Sequence, residues 1–256
     1  MSAALEIIGL QKHFGGLAVT NDVHLSLEVG ARHALIGPNG AGKTTFVGLL
    51  SGILRPEAGR ILLAQRDITH MAPQDRVKAG LVRTFQVNSL FSGLTVLQNV
   101  LLALGEHCGA SRDFWHPVTS RRDLLERAHR VLRTVGIEAY GERRIVDLPY
   151  GPQRLVEFAI ALSLEPKVLL LDEPMAGVPA VDAQRLLTTI EQLPADVAIL
   201  MIEHDMRVVR RFAKAVTVLV NGRILVSGTP EEVMSNAEVH RVYLGKKEQP
   251  RDRGHA

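Results

Sequence analysis

The sequence predicts an α/β protein built on a largely parallel sheet around a phosphate-binding loop. Three observations predict it. The run Gly37-Pro38-Asn39-Gly40-Ala41-Gly42-Lys43-Thr44-Thr45 fits the pattern G-x-x-x-x-G-K-[ST] and follows an apolar segment, residues 32–36. Residues 168–171, Val-Leu-Leu-Leu, form the continuous apolar run of a strand buried on both faces. Residues 197–202 repeat that run after a stretch of helical periodicity, residues 179–193.

The remaining elements follow in chain order. Residues 5–10 and 19–27 read as strands, the second alternating apolar and polar. A helix follows the loop over residues 44–50. Pro56-Glu57-Ala58-Gly59 reads as a turn before a strand at 60–63. From about Gln86 to Leu164 the character changes, with helical spacing at 95–104, 121–135 and 153–164. This is a helical insertion, and its polar middle, residues 105–120 with Trp115 and Pro117, reads as a loop. Residues 216–220 and 223–226, joined by Asn221-Gly222, read as a hairpin. Residues 231–244 read as a C-terminal helix, and the charged tail from Lys246 as disordered. That basic tail is either solvated or touches anionic lipid.

At 256 residues the chain is long enough for one large α/β domain, or a core with a smaller subdomain. A net charge of only +3 is too weak to argue for nucleic acid. The single cysteine, Cys108, excludes an internal disulfide and a cysteine metal cluster, and fits a reducing cytoplasm. No apolar run reaches about 18 residues, and the N-terminus lacks a basic region followed by an apolar core. Any work at a membrane is therefore expected to be peripheral.

The loop points to a nucleoside triphosphate. Glycines 37, 40 and 42 let successive N–H groups turn toward phosphate oxygens. The helix starting near Gly42 adds its positive end. Lys43 suits the β- and γ-phosphates, and the Thr44 hydroxyl suits Mg²⁺. Asp172-Glu173 closes the buried run with two adjacent carboxylates, which emerge beside the loop in such a sheet. Asp172 suits Mg²⁺, and Glu173 suits a general base acting on water. His204 follows the next apolar strand, where it can hydrogen-bond a γ-phosphate. Its neighbours Glu203 and Asp205 read as solvated or helix-capping.

Taken together, these residues resemble the ATP-binding subunit of ABC transporters over about residues 5–245. The resemblance implies a P-loop NTPase with a RecA-like core, an antiparallel β subdomain and an inserted α-helical subdomain. It places the core at about 1–85 and 165–245, the helical subdomain at about 86–164 and a basic tail at 246–256. It implies ATP and Mg²⁺ as cofactors. It makes Gln86 the loop glutamine that contacts Mg²⁺ or the attacking water, and Phe14 the aromatic that stacks on adenine; an ordinary core phenylalanine is the other reading. His204 becomes the switch histidine, and residues 174–182 the D-loop. Leu148-Pro149-Tyr150-Gly151-Pro152-Gln153 stands at the signature motif, whose Pro149, Tyr150, Gly151 and Gln153 would touch a nucleotide bound to a partner.

A closer resemblance, to the branched-chain amino-acid importer group, rests on Phe14-Gly15-Gly16-Leu17-Ala18-Val19, Val82-Arg83-Thr84-Phe85-Gln86, Met175-Ala176-Gly177-Val178, Ile202-Glu203-His204-Asp205-Met206 and Val242-Tyr243-Leu244-Gly245. It implies a second ATPase subunit, two permeases and a periplasmic solute-binding protein, with this chain on the cytoplasmic face of the inner membrane. The group also serves urea, amides and aromatic acids, and the residues do not choose among these solutes. A homodimer and a pair with a sister chain both stay open. Leu90, Phe91 and Leu94 either line a permease groove or pack within the insertion. Two departures stand out: Pro149 has neither hydroxyl nor N–H, and Val178-Pro179 is unusual for a D-loop. Pro149 keeps open a regulatory subunit with weak turnover. An ATPase working on DNA or ribosomes is disfavoured by the absence of long coiled coils and of a second nucleotide domain.

Overall fold

The computed structural model describes residues 3–84, 90–109 and 121–244. Gln86, Trp115 and the tail from 246 lie outside them. The first half holds β1 (Ala3–Phe14), β2 (Leu17–Glu28), β3 (Arg32–Ile36), α1 (Lys43–Ser51), β4 (Ala58–Leu63), β5 (Arg66–Asp67), α2 (Pro73–Ala79) and β6 (Leu81–Arg83). The helices α3 (Val96–His107), α4 (Arg122–Val135) and α5 (Tyr150–Ser163) follow. The last part holds β7 (Val168–Asp172), α6 (Ala180–Glu191), β8 (Ala198–Ile202), α7 (Met206–Phe212), β9 (Ala215–Val220), β10 (Arg223–Gly228), α8 (Pro230–Ser235) and α9 (Ala237–Leu244).

Two sheets result. An antiparallel sheet runs β2-β1-β4-β5, and a larger one runs β10-β9-β3-β8-β7-β6. In the larger sheet β9, β3, β8, β7 and β6 are mutually parallel, and β10 turns back against β9. Period-two alternation sends Leu169, Leu171, Ile199 and Met201 to one face, where the helices α3, α4, α5 and α6 pack. It sends Val168, Leu170, Ala198, Leu200 and Ile202 to the other, against α1 and the antiparallel sheet. Both faces are buried, as the unbroken apolar runs predict.

The hairpin turn forms as expected, with Asn221 at φ 47° and Gly222 at φ 76°. The insertion's helices pack on one another. A capping box, in which Thr95 and Gln98 exchange bonds, starts α3, and buried Asn99 holds the backbone of Phe91 through two bonds.

The structure corrects several expectations. Ala58 and Gly59 belong to β4 rather than a turn; Gly59, at φ 91°, bends the strand where a Cβ would collide with the backbone of Ile8 and Gly9. The C-terminal helix breaks at Asn236, which is extended and whose side chain accepts from the N–H groups of Glu238 and Val239. The elements α2, β5, β6 and α7 were not read, because each is short and has neither a motif nor a turn signal to mark it.

Arg76 on α2 is 1% exposed and has no carboxylate ion-pair partner among the described residues. Its guanidinium donates to the carbonyls of Leu49 and Leu50 at 2.6 Å each, Thr69 at 2.7 Å and Met71 at 3.1 Å. Two of these carbonyls belong to the last turn of α1, where a helix presents its negative end. Gly52, at φ 81°, ends α1 where a Cβ would press on the Arg76 side chain. Arg76 therefore fastens the far end of the loop helix to the segment leading into β6. A second polar anchor is buried His33 on β3, whose Nε2 lies 2.8 Å from Thr217 Oγ1, itself 2.7 Å from Ser227 Oγ. Burial depresses its pKa from 6.5 to about 4.

Replacing Arg76 by Met is expected to lower the unfolding free energy by about 3 kcal/mol, since it strands several buried carbonyls. A urea titration checks this, and Arg76→Lys should rescue little because an ammonium cannot span the same fork. Because His33 takes up its proton less readily when folded, stability present above pH 6.5 should fall as pH drops toward 4. The loss from this group is about 3 kcal/mol over that window. Urea midpoints across the window, with His33→Gln flattening the slope, measure it.

Candidate functional site

The phosphate loop spans the end of β3 and the start of α1, and backbone packing from both sheets shapes it. A Cβ on Gly37 would collide with the carbonyl of Leu219 on β9, and one on Gly42 with that of Val19 on β2. Gly42 stands at φ 101° as the N-cap of α1, and Gly40 at φ 79°. The β9–β10 turn braces the loop, since the Gly222 N–H donates to the Ala41 carbonyl at 2.9 Å and the Asn21 N–H to the Gly222 carbonyl at 2.8 Å. Ala41 is buried, whereas Asn39, Gly40 and the Thr44 side chain are exposed and Pro38 and Thr45 half-buried.

Lys43 folds back over the loop, its Nζ donating to the carbonyls of Gly37 at 2.6 Å and Pro38 at 3.1 Å. Burial lowers its pKa, against the opposing pull of Glu173 and Asp172. Those two carboxylates therefore share a local field with the ammonium. Strand order explains the proximity: β8 lies between β3 and β7, with Ile202 registered against both Leu35 and Asp172. Parallel neighbours end at one edge, so three chain segments far apart in sequence meet there.

Asp172 is buried, and its Oδ2 takes a 2.7 Å ion pair from Arg83 Nη2 on β6. Glu173, at φ 45°, sits in the left-handed region, held by its N–H donating to the Ile202 carbonyl at 2.9 Å. His204 is 65% exposed, with Nδ1 at 3.6 Å from Glu173 Oε1. Asp205 caps α7 through the Arg207 N–H, as expected, but Glu203 is not solvated. It is buried, and its Oε2 accepts from the His204 N–H at 3.1 Å. Burial pushes its pKa up. Pattern reading misses both Arg83 and Glu203, because it assigns charges to solvent.

The oxygens offered by Thr44 and Asp172 form a hard donor set of the kind Mg²⁺ takes. Thr44 is exposed at the mouth of the loop, and Asp172 keeps one oxygen without a partner among the described residues. The set fits the ion. Gln86 lies outside the described residues. Phe14 ends β1 and is 50% exposed, with Lys12 Nζ at 5.6 Å from its ring centroid; it is not a core phenylalanine.

The signature residues stand on α5. Pro149 is its N-cap with no side-chain bond, and Pro152 is in its first turn. Since neither proline carries an N–H, Tyr150 and Gly151 supply the free donors of that turn. Gly151 abuts the Asp182 carboxylate of α6, where a Cβ would collide. The Gln153 amide turns back to the chain's own carbonyls of Leu148 at 2.8 Å and Ile145 at 3.4 Å. Of the possible groove residues, Phe91 is exposed and Leu90 packs against the core. No helix among the described residues is long and apolar enough to cross a membrane.

Residues 20–176 match the ABC transporter family, and residues 223–248 match the branched-chain amino acid ATP-binding cassette transporter family. The chain is 37% identical over 249 residues to the high-affinity branched-chain amino acid transport ATP-binding protein LivG of Salmonella typhimurium, covering 94% of this chain and 98% of that one. It is 36% identical to the protein BraF of Pseudomonas aeruginosa, described in the same words, with the same coverage. Among solved structures, the ADP conformation of an ATP-binding cassette of an ABC transporter superposes with a TM-score of 0.84 at 29% identity, over 96% of this chain and 99% of the other. With sequence and fold agreeing along nearly the whole chain, the protein belongs to the ABC transporter ATPases, in their branched-chain amino acid transport group.

Proposed function

We propose that this chain binds MgATP at its loop, hydrolyses it when closed against a second ATPase subunit, and drives import of branched-chain amino acids or a related small polar solute. The convergence of the loop, Asp172-Glu173 and His204 on the ends of adjoining parallel strands carries this reading. The substrate class rests on the names of its relatives. Two membrane permeases and a periplasmic solute-binding protein complete the assembly, which places this chain at the cytoplasmic face of the inner membrane.

In this reading the loop N–H groups and Lys43 hold the phosphates, and Lys43 exchanges the carbonyls of Gly37 and Pro38 for phosphate oxygens. Thr44, Asp172 and Gln86 hold Mg²⁺, which when bound offsets charge on the phosphates. Phe14 stacks on adenine. Glu173 takes the proton of the attacking water, and His204 donates to the γ-phosphate as its bond to ADP breaks. Tyr150 and Gly151 meet the nucleotide of the partner. The helical insertion offers a groove to a permease helix and carries the motion to it. With two prolines in the first turn of α5 and Asp182 against Gly151, this signature is weak in donors. That asymmetry favours pairing with a sister chain whose signature completes this chain's own ATP site.

ATP hydrolysis by the chain alone and within the assembly tests the reading: low turnover alone should rise sharply on assembly. Turnover absent in the full assembly, with normal ATP binding, would reduce the chain to a nucleotide-sensing partner. Glu173→Gln should cut kcat about 100-fold or more while leaving ATP affinity nearly unchanged, as steady-state kinetics and equilibrium binding would show. Lys43→Ala should instead weaken ATP binding about 10- to 100-fold, the worth of a charge-assisted phosphate contact.

A further inference from the structure

Glu157 on α5 has no part in the chemistry above, yet its side chain is only 10% exposed. Its Oε2 accepts from Arg154 Nη1 at 2.8 Å, and its Oε1 is buried without a hydrogen-bond partner among the described residues. The Arg154 Nε in turn donates to the Tyr150 hydroxyl at 2.9 Å, and its guanidinium lies 5.1 Å from the Tyr150 ring centroid. Tyr150, Arg154 and Glu157 are spaced four and three residues apart, so they line one face of the helix. At the signature end of this row, the Tyr150 hydroxyl lies beside Gly177 of the D-loop.

The other end opens on a cavity of about 20 Å³ between α5 and the end of β7, lined among others by Glu157, Thr84, Asp172 and Pro174. A water needs about 10–15 Å³ of such space and two to four polar partners. Glu157 and Asp172 offer a water in this cavity two carboxylates to donate to, beside the Thr84 hydroxyl oxygen, whose own hydrogen goes to the Leu170 carbonyl at 3.4 Å. Leaving a buried carboxylate oxygen without a hydrogen bond is costly, and a water at this point removes that cost. Arg154 and Arg83 balance the two carboxylates from either side.

We propose that Glu157 is a positioning residue that, through one water in this cavity, ties the signature tyrosine to the Asp172 end of β7. Movement of the signature against a partner's nucleotide is thereby felt at this chain's own nucleotide site. The proposal rests on the reading that the chain pairs with a second ATPase subunit.

The test compares Glu157→Gln, which keeps size and shape, Glu157→Met, which removes both oxygens, Tyr150→Phe, and the Tyr150→Phe/Glu157→Gln pair. Each is measured in the assembled transporter for kcat and for the Hill coefficient in ATP. Trinitrophenyl-ATP fluorescence measures nucleotide binding to the isolated chain and its tightening when the partner subunits are added. Both Glu157 variants should bind the analogue like wild type when isolated, yet lose the tightening, bring the Hill coefficient toward 1 and lower kcat about 5- to 10-fold. The double variant should lose no more than the worse single one, because the residues act in one chain. Unchanged cooperativity in Glu157→Gln, additive losses in the double variant, or weakened binding by the isolated chain would overturn the proposal. The tightening is read without hydrolysis, so an inactive wild-type assembly would count against the ATPase reading while this coupling is still decided.

Discussion

The site depends on one constraint: backbone must approach backbone where no side chain fits. Gly37 lies under the carbonyl of Leu219, and Gly42 under that of Val19. These carbonyls come from different sheets, so the loop is clamped between the antiparallel and the parallel layer. The β9–β10 turn closes the clamp from behind, with Gly222 bonded to Ala41 and pressed on Val19. Only glycine allows these approaches, and the left-handed backbone at residues 40, 42 and 222 adds a second reason for it. Packing thus sets the loop conformation without any phosphate, and such preorganisation favours phosphate binding.

Buried charge organises the next layer. Arg76 secures the far end of α1 through main-chain carbonyls, Arg83 holds Asp172, and Glu203 holds the main chain at His204. Each would cost several kcal/mol if left unpaired. Each instead bonds to a segment that carries the chemistry or adjoins one that does. A shift in any one of them is therefore transmitted rather than absorbed, because a buried charge has few alternative partners. The Glu157 row on α5 extends the same logic from the core to the signature.

The loop, the two buried strands and the Asn221-Gly222 turn were legible because their signals are local. A glycine pattern, an unbroken apolar run and a turn dipeptide each specify conformation within a few residues. The pattern also places Asp172, Glu173 and His204 at strand ends, and the strand order brings those ends together. Short elements such as α2 and α7 were not legible, since neither adjoins a motif or turn signal that marks it as the loop marks α1. Glu203 was misplaced for a different reason: charge suggests solvent, and only its position beside β3 and β7 explains its burial.

The sequence by itself determined the family resemblance, the glycine-rich loop and the placing of Asp172, Glu173 and His204 after apolar strands. Those properties follow from residue types at fixed local spacings. The tertiary structure alone decided that Arg83 holds Asp172 across 89 residues, that Asp182 rests on Gly151, and that the β9–β10 turn braces the loop. These contacts join segments far apart in the chain, and their existence depends on strand order and packing distance. Neither is written in the local period of the residues involved.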